Sequence, residues 1–539
     1  MLRPARPVLA LLAAGSCLAL LSTAEAAVPT PPPTPRATCG PGSVPETGMQ
    51  GRVSAADVAA GKVAKGFHCN MVEVGHSGLS GGFKVERYVD KAGHECAYYD
   101  TTLLFPSNLA NIAQKGTGVA VLDMTDPRHP VATTTLNTPA MDTPHESLLL
   151  NQKRGLLVAV AGNAVFAPGQ VDVYDVSADC RAPVLQSTLP TGVLGHEAGF
   201  APDGKTYYAA SLGGGTITAV DLTNPKVPTI AWVGHYDTHS LSISDDGTRA
   251  YLAAGAGFPR NEIGLPAEVS GLRILDISSV QKRELNPQPT TISTLTWPTV
   301  TIPQAQLPIT VHGHRYLVEI DEFAYNGTQI AGNGERVGAG RIIDIADETK
   351  PKVVSDLRLA VHQPQNRAGL LGDPGTTGTL SATGGYAGHY CAVPRRDDPE
   401  IVACSFLASG LRVFDIRDPL KPKEVAYFVA PVPPGGAANG AYASAAFVPS
   451  RKEIWYSDGS RGFYALRVTN GVWGSAPASR PVARPTTPRT PAAPTPGRLP
   501  ATGPASQLLA WGLLLALGAL VVRRRYAGSS SGSSNGRSR

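Results

Sequence analysis

The sequence predicts an all-β fold: a seven-bladed β-propeller with four-stranded blades, closed by an N-terminal strand completing the last blade. Three observations carry that expectation. First, a strand-like segment ending in aspartate recurs along the chain. Its copies are "GVAVLD" to Asp123, "QVDVYD" to Asp175, "TITAVD" to Asp221, "GLRILD" to Asp276, "GRIID" to Asp344 and "GLRVFD" to Asp415, and "GFYALR" puts Arg467 at a seventh equivalent position. A β-type repeat with a period near 50 marks a propeller. Second, 58 Gly and 47 Pro in 539 residues suit a loop-rich β protein. Third, a spare strand, "CNMVEVG", precedes the first unit, whereas the last unit runs out after "GFYALRVTN". The spare strand would supply the missing edge and close the ring, which removes free strand edges.

Each unit follows from local chemistry. A Gly opens the third strand after a turn. Apolar residues follow in runs, as in a strand buried on both faces. The closing Asp can accept backbone N–H groups two residues on. Pro-containing turns come next ("TDPRHP", "TNPKVP", "RDPLKP"), where the outermost strand tolerates Pro. Ahead of each copy lies a hairpin with an Asp-Gly-type turn, as in "HEAGFAPDGKTYYAAS" and "HSLSISDDGTRAYLAA". The strands of a unit are called A to D here, A being nearest the axis.

The two ends read as addresses. Residues 1–26 have a basic start, an apolar run and an Ala24-x-Ala26 site, which is a signal peptide. Residues 27–37 are a Pro-rich linker and 38–470 the propeller. Residues 471–498 are a Pro/Thr/Ala-rich stalk. Leu499, Pro500, Ala501, Thr502 and Gly503 form "LPATG", ahead of an apolar span (504–522) and a basic Gly/Ser tail (523–539) opened by Arg523, Arg524 and Arg525. That order resembles the cell-wall sorting signal of Gram-positive surface proteins. The resemblance implies cleavage between Thr502 and Gly503 by a sortase and transfer to cell-wall peptidoglycan. A plain C-terminal membrane anchor is the alternative.

Net charge is +5, but nine arginines and no acid follow residue 470, and a surplus of two positive charges precedes residue 38. The middle therefore carries about −6, which gives no footprint for nucleic acid. The mature chain is expected to be monomeric, with an unidentified surface ligand.

Six cysteines remain after cleavage, an even count that favours disulfides in an exported protein. "YCAVPRRDDPEIVACS" reads as a hairpin that sets Cys391 opposite Cys404. Cys39, Cys69, Cys96 and Cys180 allow three pairings.

Candidate site residues come from counting twelve positions back from the middle of strand B. The count reaches His145, His196 and His239, and His389 where the turn is two residues longer. It reaches Gln304 in the fifth unit, Ser444 in the seventh and Glu86 in the first. Four histidines opening four A strands would converge at one channel mouth, a ligand set for Cu, Fe or Zn. The competing reading is structural. "GHEA" and "GHYC" resemble the Gly-His pair of WD-type propellers, whose His bonds within its own blade, and this reading is preferred here. "DEFAYNGTQIAGNGERVG", with Asp321, Glu322 and Asn333, reads as a solvated excursion. The other histidines, His68, His312, His314 and His362 among them, read as loop residues. No G-x-S-x-G, P-loop, H-E-x-x-H or C-x-x-C occurs.

"LRVFDIRDPLKP" resembles the LVIVD repeat of bacterial propellers, in particular the exported actinobacterial type. The resemblance covers about residues 38–470 and implies a seven-bladed fold at the cell surface, but no reaction. The expected function is a wall-anchored binding module. The alternative is an extracellular metal-dependent enzyme, oxidase-like, using the four histidines.

Overall fold

Every Gly–strand–Asp segment forms strand C of a four-stranded antiparallel sheet, and seven such sheets form the ring. The computed structural model describes residues 30–474 except 102–116, 163–167, 212–214, 256–270, 327–328, 331–333, 378–384 and 436–437. The expected signal peptide, the LPATG motif and the apolar span lie outside the described residues, as does Asn333. Among the described residues, no helix is long and apolar enough to cross a membrane.

The repeat chemistry is visible atom by atom. Oδ1 of Asp123, Asp175, Asp221, Asp276, Asp344 and Asp415 each accepts the N–H two residues on, at 2.8–3.1 Å. The glycine before strand C has an equally local cause. Gly118, Gly271 and Gly410 have φ of 124°, 145° and 79°, and a Cβ there would lie 2.1–2.2 Å from a strand D carbonyl. Gly410→Ala would therefore strain the backbone and collide with the Phe428 carbonyl. A loss of roughly 2–3 kcal/mol is expected in denaturant unfolding; a loss below about 0.5 kcal/mol would refute this account.

The N-terminal strand closes the ring as expected. Met71–Ser77 pairs antiparallel with Gly462–Val468, from Met71 opposite Val468 to Ser77 opposite Phe463. Just before it, Phe67–Cys69 adds a fifth strand to blade 6 against Lys423–Val429. One segment thus staples two blades. The chain ahead of it is held too. Buried Arg412 lies between Glu46 (2.9 Å) and Glu424 (3.0 Å). Glu424 N–H donates to the Pro35 carbonyl, and Thr34 N–H to that of Arg358. Residues 30–37 are therefore not a free linker. Proline removes a donor but keeps a carbonyl, and an extended chain can offer those carbonyls to its neighbours. At the other end Trp473 is buried against Phe447, so the first stalk residues also fold onto blade 7.

Cys391 and Cys404 are paired in register and bridged, as expected. The four open cysteines join as Cys39–Cys69 and Cys96–Cys180. The core lies between blades, where facing sheets bury Tyr208, Ile217, Leu241 and Leu252 together. Each fully buried side chain of this kind contributes about 1.5–3 kcal/mol.

Candidate functional site at the axial mouth

The A strands converge on the axis, where bridges join neighbouring blades directly: Lys84 with Ser444, Glu146 with Glu197, and Glu322 with Gly388. The four predicted histidines sit where these strands begin. Gly195 precedes His196 because Val160 of the neighbouring blade leaves no room; a Cβ would meet its side chain at 2.0 Å. His145 has φ 51°. This left-handed turn breaks strand alternation, so His145 and Glu146 both reach the centre, within 4.8 Å of a His196 nitrogen.

The ring of contacts is close. His145 and His196 have centroids 4.3 Å apart, and His196 and His239 4.4 Å. The Nε2 atoms of His196 and His239 lie 2.6 Å apart. Glu146 stands in the middle, with Oε2 3.3 Å from His196 Nε2 and 3.6 Å from His239 Nε2. Its Oε1 is 3.2 Å from His389 Nε2. Glu322 faces His239 Nδ1 at 3.6 Å and His389 Nε2 at 3.5 Å. Phe83 stacks on both His145 and His389, each at 5.1 Å.

Two of the histidines bond to the next blade rather than within their own as a WD-type pair would. Nδ1 of His239 reaches the Pro303 carbonyl of blade 5 at 3.1 Å. Nδ1 of His389 reaches the Tyr442 carbonyl ahead of blade 7 at 2.9 Å. A carbonyl only accepts, so both Nδ1 atoms carry a hydrogen and both Nε2 atoms face the centre. Outer hydrogen bonds of this kind fix the tautomer and aim of metal-binding histidines.

The electrostatics agree. Burial, reinforced by the neighbouring His196, pushes His145 and His239 down to about 3, so both rings are neutral at ordinary pH. Burial opposes ionisation of Glu146, but hydrogen bonds to His196 and His389 outweigh it and hold the carboxyl well below the usual range. Glu322, buried beside Glu146 and Glu197, is held well above it. Imidazoles around one carboxylate make a donor set for a divalent transition metal. Nitrogens about 2.0–2.1 Å from one ion stand roughly 3 Å apart, near the 2.6 Å between Nε2 of His196 and His239.

Gln304 joins this layer. Its amide donates to Glu146 Oε2 (2.8 Å) and to the Tyr390 hydroxyl (3.0 Å). Glu86 and Ser444 do not join it. In blade 1 the turn between strands A and B is three residues longer than in blade 3, so Phe83, not Glu86, occupies the histidine position. In blade 7 the equivalent is Ala443, one residue before Ser444, because Trp455 rather than Tyr456 marks the middle of strand B. Asp321 and Glu322 are buried rather than solvated, since they end strand B of blade 5. His362 is also buried, held by the Tyr386 carbonyl. His312 and His314 are exposed turn residues, as expected. Glu146 escaped the sequence reading, and Glu322 was read as solvated; the pairs His145-Glu146 and His196-Glu197 were the available signal.

No family model matches this chain, and no curated protein matches it. Three solved structures give distant matches. The Kuenenia stuttgartiensis hydrazine synthase chain is 15% identical with TM-score 0.43, covering 73% of this chain and 97% of that one. The β-propeller domain of Cps50 (Swd1) from Myceliophteria thermophila is 12% identical with TM-score 0.45, covering 73% and 98%. A chain of a mitotic checkpoint complex is 11% identical with TM-score 0.42, covering 74% and 94%. These likenesses concern the fold alone. By its own sheets this chain is a seven-bladed β-propeller.

Proposed function

We propose that the chain is an exported surface protein whose propeller holds a transition-metal ion at one mouth of its axial channel. His145, His196, His239 and His389 would be the nitrogen ligands and Glu146 the carboxylate. One observation carries this reading: Nε2 atoms of His196, His239 and His389, from separate blades, converge on one carboxylate, and carbonyls of the next blade hold the rings of His239 and His389. Imidazole donors suit copper, iron or zinc. A metal in this place turns the expected binding module into a metal-dependent one, and a redox-active ion would support oxidation chemistry.

The location rests on the sequence. The signal peptide, stalk and LPATG motif support export and sortase-mediated attachment to peptidoglycan, with the plain membrane anchor as alternative. The likeness to LVIVD-repeat propellers supports the same setting, and three disulfides fit an oxidising compartment.

The test is elemental analysis of protein secreted from a Gram-positive host and never exposed to chelator. About one equivalent of Cu, Fe or Zn per chain is expected, and none in the quadruple His→Ala variant. Absence of metal from the wild-type protein, or equal metal in both, would sink the reading.

A further inference from the structure

The channel below the histidine layer is a second feature, separate from the metal-site reading. It encloses about 450 Å³, a volume suited to a small organic ligand. It opens on the face opposite the histidines, between the A–B turns that carry Lys153, Asp245 and Arg396. Leu150, Leu241 and Leu307 supply apolar wall. Its inner end is polar and shut. There Lys84 bonds Glu197 at 2.8 Å and lies 3.8 Å above the Tyr390 ring.

The lysine is the informative group. Its side chain is 6% exposed, and its one hydrogen bond among the described residues goes to Glu197. An ammonium has three donors, so two are without an acceptor in a buried setting, which is costly. The nearby acid does not answer this need. Among the described residues, Glu86, two residues on, makes no ion pair with the lysine. Glu197 is already paired with the lysine. At the rim, Arg396 is matched by Asp245 at 2.8 Å, which leaves exposed Lys153 as surplus positive charge. A basic rim, an apolar tube and a buried ammonium with spare donors follow one another along the axis.

We propose that this channel binds a small organic anion, a carboxylate on an apolar chain, with its head on Lys84 and its body along Leu150, Leu241 and Leu307. Surplus positive charge at the rim would steer the anion in. Two of the carboxylate's acceptor sites would take up the spare lysine donors, and the hydrocarbon would replace water against the wall.

Calorimetric titration of the whole secreted protein with octanoate, and with octylamine as the opposite-charge control, tests the proposal. Octanoate should bind and octylamine should not. Lys84→Met should weaken octanoate at least 10-fold. Leu150→Trp should do the same by filling the lumen at a half-buried wall position, which covers the case in which the lysine variant fails to fold. Octylamine binding as well as octanoate, no octanoate binding, or octanoate affinity unchanged in both variants would overturn it. The readout does not involve the metal, so its failure leaves the histidine reading untouched.

Discussion

Deleting residues 27–77 is expected to lower the melting temperature by more than about 10 °C, or to prevent folding altogether. Three losses coincide. Blade 7 loses its outer strand, Met71–Ser77, and exposes the edge of Gly462–Val468 along its length. Blade 6 loses Phe67–Cys69 and with it the Cys39–Cys69 link. Arg412, wholly buried, loses Glu46 and keeps Glu424 as its ion-pair partner. An open blade edge also invites pairing with other chains. Differential scanning calorimetry of the truncated and full chains decides the matter. Equal melting temperatures would mean that the ring is held without its N-terminal staple.

His196→Ala is expected to weaken metal binding by at least about 100-fold, more than the loss of an outer-shell partner, while the metal-free protein melts within ~2 °C of wild type. The choice of residue matters. The His196 side chain is the most open of the four, at 18% exposed, so its removal leaves little cavity. It also relieves the 2.6 Å approach to His239. A histidine that locked its blade would show the reverse pattern: a clear loss of stability with metal affinity unchanged. Titration against a competing chelator, together with thermal melts of the apo protein, separates the two.

Much of the fold was legible because its causes are local. An aspartate bonds the N–H two residues on whatever surrounds it, so the turn after strand C repeats with its sequence. A glycine is demanded wherever strand D's carbonyl passes too close for a Cβ, as at Gly118, Gly271 and Gly410. The Cys391–Cys404 bridge followed from one hairpin register. The two remaining bridges did not, because they join segments 30 and 84 residues apart that only the ring brings together.

The site divides along the same line. Four histidines were placed by counting along hairpins, which works where the turn length is known and fails by three residues in blade 1. What they face was not legible. Glu146 lies beside a predicted residue, yet its central position depends on the left-handed turn at His145 and on rings arriving from three other blades. Glu322 and Lys84 come from blades whose histidine position holds another residue, so no count pointed to them. The sequence by itself determined the repeat, the blade number, the strand that closes the ring and the four imidazoles at strand starts. Only the tertiary structure decided that three of those imidazoles turn their Nε2 atoms on one carboxylate and that an ammonium closes the channel beneath. The repeat is written in short-range hydrogen bonds and sterics, whereas both centres arise where different blades meet at the axis.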